Sequence, residues 1–238
     1  MKAMILAAGL GTRLKPFTDK HPKALALVNG KTLLQRNIEY LATFGIKEVV
    51  VNVHHFAEQI IDLIKTNDGF GSNITISDET NEVLETGGGL MKAQPFLNDN
   101  EPFVLLNVDI LTDMDLDKMI RQHKTSKALA TLCVSQRKTS RYFLFDEANN
   151  LCGWRNVFSN EETIVRQADT YFEKAFWGIH IISPQIFNLV KRQGKFSIVN
   201  AYMDLCKTFT IAGFDDNTSN FIDVGKPESI ALAEKMFT

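Results

Sequence analysis

The chain has 238 residues, of which 45% are hydrophobic and 23% are charged, and its formal net charge is −2. This length allows one domain with a sizeable core. The balanced charge excludes an extended nucleic-acid surface or a polyanionic tail, so a small anionic ligand would need a local cluster of cations. No apolar run approaches the roughly 18 residues of a membrane span. Cys133, Cys152 and Cys206 follow no disulfide or zinc spacing, which predicts reduced thiols in a cytoplasmic protein.

Apolar and amphipathic segments alternate along the first half of the chain. Continuous apolar runs predict strands that are buried on both faces, and apolar residues at helical spacing predict the helices between them. In chain order, strands are predicted at 3–8, 48–53, 73–77 and 103–108, and helices at 32–44, 56–64, 88–96 and 116–123. This rhythm predicts an α/β fold with a doubly wound, mixed and mostly parallel sheet.

The pattern changes in the second half, where predicted strands follow one another with fewer helices between them. These strands are predicted at 128–135, 142–145 and 175–182. They indicate a smaller antiparallel subregion, and Pro227 opens a last helix in the first-turn position that proline favours. We expect a single domain over 1–238, with functional halves at 1–127 and 128–238.

The first apolar run leads into a loop with two glycines, in the stretch MKAMILAAGLGTRLKPFTDKHPKAL. The run Met4–Ala8 is shorter than the roughly 7–15 apolar residues of a secretory signal, and cations follow at once. A dinucleotide-binding G-x-G-x-x-G turn fails because Leu14 replaces the third glycine, Pro16 follows, and the second predicted strand ends in histidines. A P-loop fails because Leu25 stands where its first glycine is required.

What remains is a long irregular loop over 9–25, and such a loop in a compact domain is usually functional. Gly9 and Gly11 let backbone amides approach a phosphate, and the loop leaves the carboxyl end of a strand, where open α/β sheets bind ligands. Its other polar residues include Thr12, Arg13, Lys15 and Lys23. The residues therefore predict a polyphosphate cradle, with a solvated basic loop as the alternative.

The stretch LAAGLGTRLKPFTDKHPKAL resembles the signature L-A-A-G-x-G-T-R-L-x-P-x-T…P-K of the sugar nucleotidyltransferases. The resemblance continues through LETGGGL at 84–90, LLNVD at 105–109 and FIDVGKPES at 221–229, so it spans nearly the whole chain. Within the family the chain is similar to short bacterial N-acetylmuramate-1-phosphate uridylyltransferases and mannose-1-phosphate guanylyltransferases. The resemblance implies a Rossmann-like nucleotidyltransferase fold without the C-terminal β-helix of longer members.

The resemblance also implies a reaction. A nucleoside triphosphate, UTP or GTP foremost, would condense with a sugar 1-phosphate to give pyrophosphate and an NDP-sugar, a precursor of cell wall or surface polysaccharide. The acceptor would attack the α-phosphate in line, with Mg²⁺ as cofactor. A phosphomonoester has a second pKa near about 6, so no protein nucleophile is required. Two unit charges about 4 Å apart repel by roughly 4 kcal/mol at an effective dielectric of 20, which cations must offset. A monomer or homodimer that binds neither nucleic acid nor membrane is expected.

Two carboxylates and two cations take the chemical roles that the resemblance implies. Asp109 and Asp223 each follow an apolar run, and these positions hold Mg²⁺ in the family, although on sequence alone either aspartate could be a cap or turn residue. Arg13 would neutralise the β- and γ-phosphates and the leaving pyrophosphate. Lys23 would reach the α-phosphate or the incoming sugar phosphate. Arg13, Lys23 and Asp109 are the expected catalytic residues.

Further residues are expected to bind the substrates. The nucleotide set comprises Leu6, Ala8, Gly9, Gly11, Thr12, Arg13, Lys23, Asn52, Glu85, Thr86, Gly87 and Gly88. The sugar set comprises Asn107, Gly178 and Trp154. This second half departs from the family pattern, because Glu173-Lys174 lacks the proline of the Glu-Lys-Pro segment that holds the sugar phosphate in many relatives. Phe143 stands where many relatives have glycine.

Three other functions stay open. A phosphocholine-type cytidylyltransferase has the same loop and would add an aromatic cage for its acceptor. A GT-A glycosyltransferase would use an acidic metal motif, for which Asp113-Met114-Asp115 is a candidate. A non-catalytic nucleotide sensor would be expected to lack Asp109, Asp223 or Lys23, and all three are present.

Overall fold

The computed structural model describes residues 1–237, within which it contains fourteen strands and eight α-helices. The strands are β1 (Lys2–Leu6), β2 (Leu27–Val28), β3 (Lys31–Thr32), β4 (Glu48–Val53), β5 (Asn73–Asp78), β6 (Phe103–Asn107), β7 (Ile110–Thr112), β8 (Ala130–Ser135), β9 (Arg141–Phe145), β10 (Leu151–Asn156), β11 (Glu161–Ile164), β12 (Phe172–Ile182), β13 (Ile211–Asp215) and β14 (Phe221–Asp223). The helices are α1 (Leu33–Thr43), α2 (Ala57–Thr66), α3 (Glu85–Lys92), α4 (Gln94–Leu97), α5 (Leu116–Ser126), α6 (Ile186–Leu189), α7 (Ile198–Leu205) and α8 (Pro227–Met236).

Four parallel strands form the centre of the first half, in the order β6-β1-β4-β5. Strand β1 lies between β4 and β6, and Met4 is paired with Val50 on one side and Leu105 on the other. Ala3, Met4 and Ile5 are fully buried, as a continuous apolar run predicts for a strand covered on both faces. The predicted α/β sheet is confirmed, and the loop after β1 lies at its carboxyl edge.

The second half of the chain extends the same sheet with antiparallel strands. Strand β12 pairs antiparallel with β6, and the sheet continues through β9 and β10 to β11. Strand β8 also pairs with β12, and β13 lies parallel to β8. Two small ribbons, β2–β3 and β7–β14, lie outside this sheet. One ten-stranded sheet therefore runs through both halves of the chain.

The helices follow the predicted ones in place, with one difference at the glycines after β5. Helix α1 begins after Thr32, whose side chain accepts a hydrogen bond from Gln35 N at 3.1 Å. The helix predicted at 88–96 instead begins at Glu85 and is interrupted at Ala93, so it forms α3 and α4. Each glycine destabilises a helix interior by about 1 kcal/mol, so helix propensity does not predict that this helix begins before its glycines. Within residues 1–237, every helix is too short or too polar to cross a membrane.

Two histidines are buried in the core. His180 Nδ1 lies 2.7 Å from Tyr202 Oη, and His123 contacts Thr131 Oγ1 at 2.9 Å and Ser183 Oγ at 3.1 Å. Burial lowers the pKa of His180 to about 3 and the pKa of His123 to about 4. Both rings are therefore neutral in the folded protein at neutral pH, and folding opposes their protonation.

We predict that the burial of neutral His180 makes the protein less stable as the pH falls below neutrality. Below pH 6.5 the unfolded chain takes up a proton on this imidazole and the folded protein does not, so stability is lost as the pH falls and the loss levels off near pH 3. Between pH 7 and pH 5.5 this amounts to about 1 kcal/mol. Urea unfolding of wild type and His180→Gln at pH 7 and at pH 5.5 measures this loss of stability. The free-energy gap between them should shrink by about 1 kcal/mol at pH 5.5, and a constant gap would contradict the assignment.

Candidate active site

A cavity of about 520 Å³ opens at the carboxyl edge of β1 and β6. The loop after β1 forms one wall, and the start of α3 with the segment before α7 forms the other. Most of the predicted residues line it, namely Leu6, Ala8, Gly9, Gly11, Thr12, Arg13, Lys23, Glu85, Thr86, Asn107 and Asp109. Wall residues outside the predicted set include Glu79, Val83, Lys195, Ser197 and Gly225.

Asp109 and Asp223 are brought together by the β7–β14 ribbon. Asp223 is paired with Ile110, the residue after Asp109, and Val224 N donates to Asp109 O at 2.8 Å. Burial and the charge of Asp109 raise the pKa of Asp223. Asp223 Oδ1 is buried and has no hydrogen-bond partner among residues 1–237. A buried, unsatisfied carboxylate oxygen beside a second carboxylate is a donor set that suits a hard cation.

Two cations from the loop after β1 contact these carboxylates. Lys23 Nζ donates to Asp109 Oδ2, and Arg13 Nη2 lies 3.6 Å from Asp223 Oδ2. The charges of Lys23 and Arg13 lower the pKa of Asp223 and so oppose the effects of burial and Asp109. Lys23 is only 8% exposed, so its charge is held at a fixed place in the wall. We refer to Arg13, Lys23, Asp109 and Asp223 as the charge cluster.

Glycines allow the loop and the charge cluster to approach each other. Gly11 has φ of +62°, and a Cβ atom there would lie 2.8 Å from Thr18 Cγ2, so both conformation and space require glycine. Thr18 Oγ1 and Leu14 N both donate to Gly11 O, at 2.9 and 2.8 Å. A Cβ atom at Gly225 would lie 2.6 Å from Asp223 Oδ1 and 2.7 Å from Arg13 Nη2. Glycine at this position leaves room for the two charges.

Asn52 lies behind the cavity wall, where it holds the end of β1. It is 2% exposed, and its Oδ1 accepts hydrogen bonds from Ala7 N at 2.7 Å and Ala8 N at 3.3 Å. Its Nδ2 donates to Glu79 Oε1 at 2.7 Å, and Glu79 Oε2 accepts from Leu84 N at 3.3 Å. Burial raises the pKa of Glu79. Asn52 therefore positions wall residues instead of lining the cavity. It links the two walls through Glu79, a residue that was not among the predicted site residues.

Gly87 and Gly88 also lie off the wall. Both amides donate to Phe196 O, at 2.9 and 3.2 Å, and a Cβ atom at Gly87 would lie 2.3 Å from the Phe196 ring. Nearby, Thr86 Oγ1 accepts a hydrogen bond from Ile198 N at 2.9 Å. The two glycines therefore allow α3 to pack closely on the segment before α7, and this packing sets the second wall.

The three predicted sugar-binding residues are not brought together. Asn107 lines the cavity at the end of β6, and Gly178 lies directly behind it, since a Cβ atom at Gly178 would be 2.6 Å from Asn107 Nδ2. Trp154 lies on β10, which β9 separates from β12, and its ring packs against the core. Trp154 therefore does not line this cavity, and its contact with a sugar stays a prediction.

Other candidates from the second half have structural partners away from the cavity. Lys174 Nζ donates to both oxygens of Asp215 at 2.7 Å and to Asn149 Oδ1 at 2.9 Å. It is therefore not placed to hold a sugar phosphate. Trp177 is buried, its Nε1 donates to Ser135 Oγ at 2.8 Å, and its ring lies 4.4 Å from that of Phe221. Trp177 is therefore too buried to form one side of an aromatic cage.

The Asp113-Met114-Asp115 motif has a structural role. Asp113 accepts hydrogen bonds from Asn220 N at 2.8 Å and Asn220 Nδ2 at 2.7 Å, and so holds the segment before β14. Asp115 is the N-cap of α5, and its Oδ1 accepts from Lys118 N at 3.3 Å. Both carboxylates serve turns and caps, which argues against a glycosyltransferase metal motif.

Comparison with known proteins identifies the family. The sequence model of the family described as "Nucleotidyl transferase" matches residues 2–145, which is more than half of the chain. This chain belongs to that family. The nucleotidyl transferase is also similar to the N-acetylmuramate alpha-1-phosphate uridylyltransferase of Caulobacter vibrioides, with 29% identity over 240 residues that cover 98% of this chain and 95% of the relative. The resemblance to sugar nucleotidyltransferases is confirmed.

Longer relatives and solved structures agree with this family. The UTP–glucose-1-phosphate uridylyltransferase of Synechocystis is 32% identical over 206 residues, which cover 80% of this chain and 51% of the relative. The chain thus spans about half the length of that relative, and 61% of a mannose-1-phosphate guanyltransferase of Yarrowia lipolytica. The crystal structure of HddC from Yersinia pseudotuberculosis complexed with GMP-PN has a TM-score of 0.80 at 24% identity, covering 100% of this nucleotidyl transferase and 99% of that chain. It shows the same fold.

We predict that Asn52→Asp destabilises the protein and that Glu79→Gln restores it. The aspartate keeps the acceptor for Ala7 and Ala8 but faces the buried Glu79 carboxylate, at a cost of about 3 kcal/mol at pH 8. The loss should be smaller at pH 5, because one carboxyl then holds a proton. In Asn52→Asp/Glu79→Gln the direction of the hydrogen bond is reversed and most of the stability returns. Urea unfolding gives the free energy of unfolding of wild type, Asn52→Asp, Glu79→Gln and the double variant. A loss in the double variant equal to the sum of the two single losses would contradict the pairing.

Proposed function

We propose that this nucleotidyl transferase condenses a nucleoside triphosphate with a sugar 1-phosphate, releasing pyrophosphate and forming an NDP-sugar. The observation that carries the proposal is the charge cluster at the edge of the cavity, where two carboxylates and two cations meet beside a glycine loop. Such a cluster can hold a metal ion and two groups of phosphate oxygens, which is what transfer between two polyanions requires.

The loop after β1 is proposed to hold the triphosphate. Gly9, Gly11 and Thr12 line the cavity, and backbone amides of such a loop can donate to phosphate oxygens. Main-chain atoms of Leu6 and Ala8 form one side of the pocket for base and ribose, and Glu85 with Thr86 forms the other. UTP and GTP are the proposed triphosphates, because similar relatives are described as uridylyltransferases and guanyltransferases.

Asp109 and Asp223 are proposed to hold Mg²⁺. The buried, unpartnered Oδ1 of Asp223 and the adjacent Asp109 carboxylate fit this ion, which takes one or two carboxylates together with phosphate oxygens. When bound, Mg²⁺ would supply positive charge that polarises the α-phosphate. The charges of Lys23 and Arg13 lower the pKa of Asp223 and so offset part of the rise caused by burial and by Asp109.

The reaction needs no covalent intermediate. An oxygen of the sugar phosphate forms a bond to the α-phosphorus while the bond from that phosphorus to the bridging oxygen breaks, and the electron pair leaves with pyrophosphate. Arg13, beside the glycine loop, neutralises the β- and γ-phosphates and the leaving group. Lys23, held on Asp109, stabilises negative charge on the α-phosphate and the incoming oxygen.

The second half of the chain is proposed to hold the sugar, with Asn107 and Gly178 at its border to the nucleotide half. Trp154 is not included in this proposal because it lies off the wall. We also propose a cytoplasmic location for the enzyme. It is supported by Cys133, Cys152 and Cys206, which are all buried and free, as is usual for proteins of a reducing compartment.

The activity is tested by pyrophosphate release in a crossed panel. UTP, GTP, CTP and ATP are each combined with glucose 1-phosphate, mannose 1-phosphate, N-acetylmuramate 1-phosphate and phosphocholine in the presence of Mg²⁺. Release is expected with at least one sugar 1-phosphate, and with UTP or GTP in preference to the others. Release with no pair would overturn the proposal, and release with phosphocholine alone would establish the cytidylyltransferase alternative.

We predict that Asp109→Asn and Asp223→Asn each lower kcat by at least about 100-fold, because each removes a carboxylate from the metal site while preserving its shape. Asp115→Asn is the matched control, since asparagine also caps helices and that aspartate lies outside the charge cluster. It should keep near-wild-type kcat. A severe loss in Asp115→Asn alone would instead favour a metal at the Asp113-Met114-Asp115 motif.

A further inference from the structure

The proposed function requires a positive charge for the acceptor phosphate, and the cations on the cavity wall already face carboxylates. Lys23 contacts Asp109, Arg13 lies near Asp223, and Lys195 Nζ lies 4.0 Å from Glu85 Oε1. Arg13 and Lys23 also lie in the loop that is assigned to the triphosphate. A second phosphate brought to the same metal site would therefore need a cation that comes from another direction.

Arg137 contacts Phe221, which lies two residues before Asp223 on β14. It follows β8, and its guanidinium carbon lies 4.9 Å from the centroid of the Phe221 ring. Phe221 and Asp223 are two residues apart on β14, so both side chains point to one face, about 7 Å apart along the strand. Arg137 thus packs on a side chain that shares a face of β14 with Asp223.

The guanidinium of Arg137 is held in place but keeps most of its donors. Arg137 Nη2 donates to Phe176 O at 2.9 Å, and the Phe221 ring beneath the guanidinium is itself packed on Trp177. Within residues 1–237, no carboxylate oxygen lies within 4.0 Å of it. An arginine has five N–H donors in a planar fork, and such a fork matches a phosphate in a bidentate manner.

The electric field around Arg137 links it to the charge cluster. Partial burial lowers the pKa of Arg137, and the charge of Asp223 acts against that effect. The residue is nevertheless exposed, so that a ligand can reach it. A cation in this position is attracted towards the metal site without being neutralised by it.

We propose that Arg137 binds the phosphate of the sugar 1-phosphate and directs it at the metal site. This inference rests on the proposed nucleotidyl transfer. It assigns a contact for the acceptor phosphate in a chain that lacks the Glu-Lys-Pro segment of many relatives. Because Arg137 lies outside the loop after β1, it keeps the acceptor contact apart from the residues assigned to the triphosphate and the leaving pyrophosphate. It also gives each of the two polyanions its own arginine.

Steady-state kinetics of Arg137→Ala test the inference with the best acceptor of the panel. The KM for the sugar 1-phosphate should rise by roughly 10- to 100-fold, as expected when a charged hydrogen bond is lost. The KM for the triphosphate should stay within about twofold, because Arg13 and Lys23 are intact. The KM of Arg137→Lys for the sugar 1-phosphate should lie between those of wild type and Arg137→Ala, since lysine keeps the charge and lacks the planar fork of donors. Lys138→Ala, which removes the adjacent exposed cation, should leave both KM values unchanged.

Equal changes in both KM values, or a fall in kcat with both KM values unchanged, would overturn the inference and leave Arg137 a structural residue. Thermal unfolding of the variants checks that each is folded. Calorimetric binding of glucose 1-phosphate, mannose 1-phosphate and N-acetylmuramate 1-phosphate, without triphosphate, separates this inference from the proposed function. Weaker binding by Arg137→Ala supports it even if turnover is absent. Equal binding by wild type and Arg137→Ala, or no binding by wild type, overturns it.

Discussion

The pairing of β14 with β7 is the constraint on which the site depends, because it places the carboxylates of Asp109 and Asp223 side by side at the edge of a cavity. Two carboxylates in a partly buried place repel each other, and burial adds to the cost of their charges. Lys23 and Arg13 offset that cost, and both come from the loop after β1. The ribbon and the loop therefore stabilise each other electrostatically, and their meeting point is where a cation and two phosphates can be brought together.

The scaffold keeps this meeting point fixed through hydrogen bonds and close backbone packing. Asn52 accepts hydrogen bonds from two consecutive amides at the end of β1, and Glu79 joins it to the opposite wall. Gly11 and Gly225 bring backbone and charged groups closer than any side chain would allow. These contacts hold the cavity walls in place, so the proposed transfer would need little rearrangement to stabilise its charge.

Much of the fold could be predicted from the sequence because the buried parallel strands are continuous apolar runs, as at 48–53 and 103–108. The β7–β14 ribbon could not, since its three-residue strands carry too little periodicity, although it decides where Asp223 lies. The sequence predicts nucleotide binding by Asn52 because it ends the second predicted strand, where similar uridylyltransferases also have asparagine. Only the fold shows that its side chain bonds to the backbone of Ala7 and Ala8. Arg137 lies in a polar stretch that resembles a solvated loop. Its neighbour Phe221 is distant in sequence and adjacent only in the fold.

Asp109 and Asp223 are proposed to form one metal site shared with the triphosphate, and Mn²⁺ binding followed by electron paramagnetic resonance tests this sharing most directly. Mn²⁺ replaces Mg²⁺, and a non-hydrolysable analogue of UTP or GTP occupies the loop. Wild type should bind Mn²⁺ together with the nucleotide, and Asp223→Asn should bind it at least about tenfold more weakly. Equal Mn²⁺ affinity in wild type and Asp223→Asn would contradict the account.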